Sequence, residues 1–222
     1  MKILMLAPQP YFEERGTLIA IDLLLQVFSR RNEQVDLLTL HLGEDRQYPG
    51  LSIHRINPWP APKSVPPGLS LAKIWCNLFL LLRAFRMSRK GGYDLVHAVE
   101  EAGFIAYLLK RIRGIPYVLD VDSSMTTQII DRFRWLSPLE SLMRRLESIP
   151  AKHALAIVPM CEALADEAGR VSTSPVYVLH DIALPGDPAA EAEDLRQTLG
   201  ISNAPLLMYV GNLETYQGID ML

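Results

Sequence analysis

Short apolar runs alternate along this chain with longer segments of helical periodicity, and this alternation constrains the fold more than any other feature. Strands that are covered by helices on both faces are apolar throughout, because neither face meets water. The pattern therefore predicts an α/β fold with a doubly wound parallel sheet. The predicted strands are residues 3–7, 35–40, 95–98, 117–121, 155–158 and 176–179.

Apolar residues that recur every three or four positions predict three helices. Residues 17–31 and 101–113 each carry one apolar stripe, and Gly114 is expected to end the second helix. The third helix is expected to be ordinary scaffold. Its stripe consists of Leu139, Leu142, Leu146 and Ile149.

Two further segments have a less regular pattern. Residues 52–56 are expected to form an edge strand of either polarity, because too few residues precede them for a helical crossover. Residues 57–68 hold five prolines, which exclude a helix or a central strand. They are expected to form an ordered surface loop.

Length and composition exclude several classes of protein. A chain of 222 residues with 49% hydrophobic residues can bury a core, so it is neither disordered nor collagen-like. The 22 basic residues nearly balance the 25 acidic ones, which argues against a general nucleic-acid binder. Cys76 and Cys161 lack the spacing of a disulfide scaffold or a zinc site, and a reducing cytoplasm fits them best. No apolar run approaches the roughly 20 residues of a membrane span.

A change in composition after residue 180 predicts a domain boundary. Residues 181–188 combine prolines, a glycine and aspartates, as linkers often do. We expect one domain over residues 1–184, followed by a linker and the truncated start of a second α/β unit over residues 185–222. A single strand and an incipient helix cannot form a domain. The chain is therefore expected to be a piece of a longer protein.

In an open parallel sheet, ligands bind beyond the carboxyl ends of the strands, so chemistry is expected in the loops that follow them. The first such loop contains Gly16 and Thr17. Glycine allows close approach of the backbone, and a helix that begins near Thr17 suits a phosphate. The alternative is that Gly16 is only a turn residue. No GxGxxG or GxxxxGK[ST] motif is present, which argues against a nicotinamide dehydrogenase or an ATPase.

Ionisable residues cluster after the predicted strands 95–98 and 117–121. Asp120 and Asp122 share a face, and neighbouring carboxylates raise each other's pKa and can act as acid and base. The structural alternatives stay open, namely a core histidine, carboxylates that favour a helix N-terminus and serines that cap a helix. The candidates are His97, Glu100, Glu101, Asp122 and Ser123.

Taken in order, these segments resemble the retaining nucleotide-sugar glycosyltransferases of the group 1, or family 4, type, which have the two-lobed GT-B fold. The stretch from Asp94 to His97 resembles the family's D-[VL]-[VI]-H-x-H strand end. Residues 114–122 resemble its G-x-P-x-V-x-T-x-H strand, and residues 207–220 resemble the vGrLxxxKGid segment. The resemblance implies a Rossmann-like N-terminal lobe, on the acceptor side, together with the first strand and turn of the donor lobe.

Four positions depart from the family's pattern. Val99 replaces the second histidine, and Asp122 replaces the histidine that faces the transferred sugar. Asn212 and Gln217 replace the arginine and lysine that usually hold the donor diphosphate. Asp122 is then expected to accept hydrogen bonds from sugar hydroxyls rather than to donate them. Neutralisation of the phosphates is expected to fall to helix N-termini or to residues outside this sequence.

The resemblance implies a hexosyltransferase-type enzyme that transfers a sugar from a nucleotide-sugar donor to a glycan or lipid-linked acceptor, with retention, as in polysaccharide biosynthesis. It implies no cofactor beyond the donor, no metal and no nucleic acid. The candidate catalytic residue is Asp122. Candidate phosphate-binding residues are Gly16, Thr17, Gly211, Asn212 and Gln217, and candidate acceptor-binding residues are His97, Glu100, Glu101 and Ser123. Without the donor lobe, this chain alone is expected to be inactive.

Two rival functions stay open. The departures from the family's pattern favour a non-catalytic lobe that binds carbohydrate or lipid. A sugar-nucleotide epimerase of similar fold is the other rival, and analysis of products without an acceptor distinguishes it from a transferase.

The segment from Leu71 to Lys90 carries five basic and no acidic residues, interleaved with aromatic ones. A basic amphipathic helix of this kind suits an anionic membrane surface. A core helix whose basic residues favour its C-terminus is the alternative. We therefore expect a cytoplasmic protein, with peripheral contact at the inner face of the membrane under the first interpretation.

Overall fold

The structure is a computed structural model that describes residues 1–13, 16–66, 68, 70–182, 195–201 and 204–209. The chain divides into two compact units, Met1–Asp181 and Ile182–Leu222. In the described part of the second unit, a short helix spans Leu195–Thr198, and the Arg196 guanidinium donates to the carbonyl of Ala204 at 3.0 Å. The predicted assignment of this unit to the start of a second lobe stays a prediction.

The first unit is an α/β sandwich around six parallel strands, which confirms the predicted fold class. The strands are β1 (Lys2–Ala7), β2 (Gln34–Thr39), β3 (Leu51–Arg55), β4 (Leu95–Val99), β5 (Tyr117–Val121) and β6 (Ala156–Pro159). Their order across the sheet is β3-β2-β1-β4-β5-β6. The chain thus moves outward from β1 in both directions, and the sheet order reverses beside β1.

Six helices and one 3-10 helix surround this sheet in the described residues. The helices are α1 (Gly16–Arg30), α2 (Leu71–Lys90), α3 (Ala102–Arg113), α4 (Met125–Arg132), α5 (Glu140–His153) and α6 (Glu162–Val171), and the 3-10 helix spans Arg134–Leu139. We label the helix of the second unit α7. Helix α3 ends where the sequence predicts, because Gly114 adopts a left-handed conformation with φ of 73° and its N–H donates to the carbonyl of Lys110.

Alternate residues of β1 pack into two cores on opposite faces of the sheet. Ile3 and Met5 face α1, whereas Leu4 and Leu6 face the layer that contains α2 and α3. All four side chains are fully buried. Burial on both faces explains why this strand is an unbroken apolar run in the sequence.

Strand β3 pairs with β2 in parallel, which settles the polarity that the sequence left open. Residues 40–50 make the connection without a helix. The Arg55 side chain stabilises this connection by donating to the carbonyls of Leu40, Leu42 and Tyr11 and to Asp45, with 2.6 Å to the Tyr11 oxygen. A single guanidinium thus supplies hydrogen-bond donors to backbone carbonyls of a connection that contains no helix.

Glycine is required at position 43 of this connection. Its φ is 97°, and a Cβ atom there would lie 2.3 Å from the carbonyl oxygen of Tyr11. The backbones of the two loops pair directly, since Phe12 and Glu44 exchange N–H···O bonds of 2.7 and 3.1 Å. The loop after β1 is therefore held in place by the loop after β2.

Two predictions about the second half of the unit are wrong. Residues 176–179 pair with β6 in parallel, through the bridge between Val176 and Ile157 and through the N–H groups of Tyr177 and Leu179, which donate to β6 carbonyls at 3.0 Å. They are not a buried strand, because the side chains of Tyr177 and Leu179 are exposed. The apolar stripe of α5 is also largely exposed, with Leu142 at 55% of its free surface. Helix α5 instead uses Ser148, Pro150 and Ala151 as its buried face. Small residues allow the helix to lie close to its neighbours, and periodicity alone does not separate this face from the exposed one.

Helix α2 has two apolar faces. Cys76, Leu80 and Ala84 are buried in the core. On the outer face lie Leu71, Ile74, Trp75, Leu78 and Leu82, with Leu71 87% exposed. In the part of the chain that the structure describes, no helix is both long and apolar enough to cross a membrane.

Candidate active site

The carboxyl ends of β1, β4 and β5 meet at one edge of the sheet and bring three loops together. Gln9 follows β1, Glu100 follows β4, and Asp122 and Ser123 follow β5. These strands are neighbours in the sheet, so residues far apart in sequence become adjacent here. We call these four residues, together with Thr17 of α1, the rim cluster.

Glu100 is the centre of the hydrogen bonds in the rim cluster. Its carboxylate accepts 2.8 Å from the Gln9 amide and 3.0 Å from the Ser123 hydroxyl. Its φ of 50° places it in the left-handed region, which is uncommon for a residue with a side chain. Burial raises the pKa of Glu100, and the neighbouring Glu101 raises it further, against opposing contributions from Lys73, Ser123 and Gln9. A carboxyl held by two donors in a partly buried position is a fixed hydrogen-bonding group.

Asp122 lies beside Glu100 and has an unusual pKa. Burial raises the pKa of Asp122 to about 7, and repulsion from Asp120 and Glu100 contributes in the same direction. The Thr17 hydroxyl donates a hydrogen bond to Asp122, which opposes the shift. Near neutral pH the carboxyl is thus divided between its two protonation states. The ionised form only accepts hydrogen bonds, whereas the protonated form also donates, and the role of Asp122 toward a sugar stays a prediction.

The contact between Thr17 and Asp122 places the rim cluster at the N-terminus of α1. Helix N-termini carry partial positive charge and free N–H groups, which favour anions. Gly16 begins this helix, and a Cβ atom built on it would meet no other atom within 4 Å. Among the described residues, no packing requires glycine at this position.

His97 and Glu101, both predicted to bind the acceptor, contact other groups of the chain. The His97 ring lies 3.0 Å from the Asp120 carboxylate, and only 7% of its side chain is exposed. Glu101 accepts from Lys73 at 2.7 Å and from Asn77 at 3.3 Å, so it ties α2 to the edge of the sheet. In this arrangement both residues hold neighbouring side chains in place, and their predicted contact with the acceptor stays a prediction.

Sequence reasoning missed Gln9, Lys73 and Asn77. Gln9 could have been found from its position directly after an apolar strand, because such loops line the ligand-binding edge. Lys73 and Asn77 lie on a helix that is remote in sequence, and no motif signals their contact with Glu101. The predicted phosphate-binding residues Gly211, Asn212 and Gln217 lie outside the described residues.

Asp181 adds a further acidic group to the same edge. Burial raises the pKa of Asp181, and the nearby Asp120 raises it further. In the described ranges, no group of three or more histidine, cysteine, aspartate or glutamate side chains could hold a metal ion. The edge is therefore rich in carboxyls, and its compensating positive groups are the start of α1 and Lys73.

Comparisons of the sequence with a family model and with known proteins both find glycosyltransferases. A family model described as "Glycosyl transferase 4-like domain" matches residues 20–179. The chain is 24% identical over 175 residues to an alpha-D-kanosaminyltransferase of Streptomyces kanamyceticus, which covers 72% of this chain and 45% of that protein.

Solved structures share the fold at low sequence identity. A sucrose-phosphate synthase from Thermosynechococcus elongatus superposes with a TM-score of 0.73 at 14% identity, covering 99% of this chain and 57% of that one. A UGT transferase from Siraitia grosvenorii in complex with UDP superposes at 0.52 with 11% identity, covering 84% and 53%. The chain thus spans about half the length of these relatives.

Proposed function

Because this chain belongs to the glycosyl transferase 4-like family and has the fold of a GT-B N-terminal lobe, we propose that it forms the acceptor-side half of a glycosyltransferase. The proposed enzyme transfers a hexose from a nucleotide-sugar donor to a glycan or lipid-linked acceptor, with retention. The observation that carries this proposal is the convergence of Thr17, Glu100, Asp122 and Ser123 at one edge of the sheet.

The donor side of the proposal rests on α1. A diphosphate needs positive charge or N–H donors, and the N-terminus of α1 offers both beside Asp122. Two of the structurally similar plant proteins were solved with UDP, at TM-scores of 0.52 and 0.50. These complexes support a uridine or related nucleotide as the carrier of the sugar. Gly16 and Thr17 keep their predicted role as donor contacts.

The acceptor side rests on the hydrogen-bonding groups of the rim cluster. Glu100 and Ser123 form a fixed pair, and Asp122 accepts or donates according to its protonation state. In the protonated state Asp122 donates to a sugar oxygen, and in the ionised state it accepts from a hydroxyl. His97 and Glu101 serve as positioning residues, through Asp120 and through α2. Asp122 remains the proposed catalytic residue.

Replacement of Gly16 by alanine tests the donor position. The fold tolerates a Cβ atom there, because nothing lies within 4 Å, and alanine in the first helical turn is expected to stabilise the chain by about 0.5 kcal/mol. A diphosphate that approaches the backbone closely would meet the new methyl group. We expect kcat/KM for the nucleotide sugar in the whole enzyme to fall at least about tenfold.

Gly169→Ala is the matched control. Gly169 lies within α6, and a Cβ atom there also meets nothing within 4 Å. This variant should keep full kcat/KM. Equal kcat/KM in the two variants would show that the donor does not approach the backbone at the start of α1. Product analysis without an acceptor in the same assays would reveal an epimerase.

We propose that the enzyme is cytoplasmic and contacts the membrane peripherally through α2. Helix α2 is anchored in the core, and its outer face still exposes large apolar side chains. Arg86, Arg89 and Lys90 continue this face toward the C-terminus, and among the described residues they have no ion-pair partner. An apolar face that ends in cations matches the interfacial helices that lie on anionic bilayers.

The membrane contact predicts salt-sensitive binding to anionic vesicles. The double variant Arg86→Gln/Arg89→Gln should weaken co-sedimentation with phosphatidylserine-containing vesicles about fivefold or more, given about 1 kcal/mol per basic residue near such a surface. Arg111→Gln/Arg113→Gln, which removes two cations from the end of α3, should bind as the unchanged protein does. Equal binding to neutral and anionic vesicles would contradict the proposal.

A further inference from the structure

A groove on the outer side of α5 and α6 takes no part in the proposed function. Its volume is about 760 Å³, within the range of small-molecule pockets. The 3-10 helix contributes Ser137 and Pro138, and α6 contributes Arg170 and Val171. The remaining lining residues lie on α5, among them Ser141, Arg145, Ser148 and Lys152.

The groove concentrates positive charge on a chain whose net charge is −3. Four cations line it, against the single acid Glu140. Arg144 is neutralised, because it pairs with Glu140 at 2.9 Å and with Glu167 at 2.8 Å. Among the described residues, Arg145, Lys152 and Arg170 take part in no side-chain hydrogen bond or ion pair.

Interaction with the helix dipole explains the positions of only two of the three unpaired cations. Lys152 and Arg170 lie in the last turns of α5 and α6, where cations favour the helix C-terminus. Arg145 lies in the middle of α5, where it gains nothing from the helix dipole. Positions 141, 145 and 152 recur on one face of α5, which places the exposed Ser141 hydroxyl on the same face as two of the cations. Guanidinium and hydroxyl groups together are the donors that phosphate groups prefer.

We propose that this groove, which we call the α5–α6 groove, binds a soluble phosphate-bearing small molecule. The three unpaired cations would neutralise the phosphates, and the exposed hydroxyls of Ser137 and Ser141 would donate to their oxygens. The Ser148 hydroxyl is buried and donates to the Arg145 carbonyl at 2.8 Å. Pro138 and Val171 are the only apolar residues in its lining. The site is separate from the rim cluster, with which it shares no residue.

Inorganic pyrophosphate is the probe for the test. Calorimetric titration of the protein should show saturable binding at low salt, and the triple variant Arg145→Gln/Lys152→Gln/Arg170→Gln should weaken it at least about tenfold. All three residues are exposed, so the variant should fold normally, as circular dichroism would verify. The control Arg86→Gln/Arg89→Gln/Lys90→Gln removes the same charge from α2 and should leave the affinity unchanged.

Two further measurements distinguish the other places where pyrophosphate could bind. Loss of pyrophosphate binding in Gly16→Ala, with full binding kept in the triple variant of the groove, would assign the ion to the start of α1 instead. Pyrophosphate should also protect Lys152, but not Lys90, from an amine-reactive reagent read by mass spectrometry. Unsaturable binding, equal loss in both triple variants, or groove-dependent binding to phosphatidic acid vesicles without pyrophosphate binding would each overturn the proposal.

Discussion

Asp122→Asn is expected to stabilise the protein at alkaline pH, although it removes a residue of the proposed active site. In the folded chain burial and neighbouring carboxylates raise the pKa of Asp122 from 3.8 to about 7. The folded state therefore binds the proton more tightly than the unfolded state. The stability associated with this proton is fully present below about pH 4 and is lost as the pH rises through about 7.

The expected size follows from the same shift. One pKa unit corresponds to about 1.4 kcal/mol, but the titration of Asp122 is coupled to that of the neighbouring Glu100, which reduces the expected effect. We expect the free energy of unfolding of Asp122→Asn to exceed that of the unchanged protein by about 2 kcal/mol at pH 8, and by almost nothing at pH 4. Urea unfolding at the two pH values measures both.

Asp166→Asn provides the control. Asp166 is exposed on α6 and takes part in no hydrogen bond or ion pair within the described ranges. Its replacement should change stability by less than about 0.5 kcal/mol at either pH. A stability difference for Asp122→Asn that does not vary with pH would show that Asp122 titrates normally.

Asp122→Asn also tests whether Asp122 takes part in catalysis in the whole enzyme. An amide cannot exchange a proton, and loss of general acid–base participation typically costs about a hundredfold or more in rate. We expect kcat to fall accordingly, and the limb of the pH–rate profile near pH 7 to disappear. A stabilised variant with unchanged kcat would assign Asp122 to structure alone.

Gly43→Ala is expected to destabilise the protein by about 3 kcal/mol or more. Two penalties combine at this position, since φ is 97° and the new Cβ atom would lie 2.3 Å from the Tyr11 carbonyl oxygen. Left-handed backbone costs about 1 kcal/mol for alanine, and the clash with backbone atoms cannot be relieved by a rotamer change. Thermal or urea unfolding measures the loss.

Gly92→Ala isolates the conformational penalty. Gly92 has φ of 57°, but a Cβ atom there meets nothing within 4 Å. Its replacement should cost only about 1 kcal/mol. If the two variants were equally stable, the close packing between the loops that follow β1 and β2 would not contribute to stability.

The sequence predicts the central strands well because their signal is local. β1 is buried on both faces, so it is an apolar run whatever its neighbours are. The segment at 176–179 is also rich in apolar residues but lies at the outside of β6, where the side chains of Tyr177 and Leu179 are exposed. Its position in the sheet, which no local pattern encodes, decided the outcome. The polarity of β3 was open for the same reason.

The sequence predicts several residues of the rim cluster, but it does not predict their ion pairs or their pKa values. Carboxylates and a serine after successive strands indicate a shared edge, and the structure places Glu100, Asp122 and Ser123 there. The roles of His97 and Glu101 depend on contacts with Asp120 and Lys73, which only the folded chain reveals. The raised pKa of Asp122 likewise depends on burial and on two neighbours from other positions.

The attachment of α2 to the edge of the sheet has a mechanical consequence. Lys73 and Asn77, one turn apart, both donate to the same oxygen atom, Oε1 of Glu101. Helix α2 is also held by the buried side chains of Cys76, Leu80 and Ala84, so its start and residue 101 are fixed to each other. A displacement of this end of α2 would therefore shift residue 101 and the adjacent carboxylate that Gln9 and Ser123 hold.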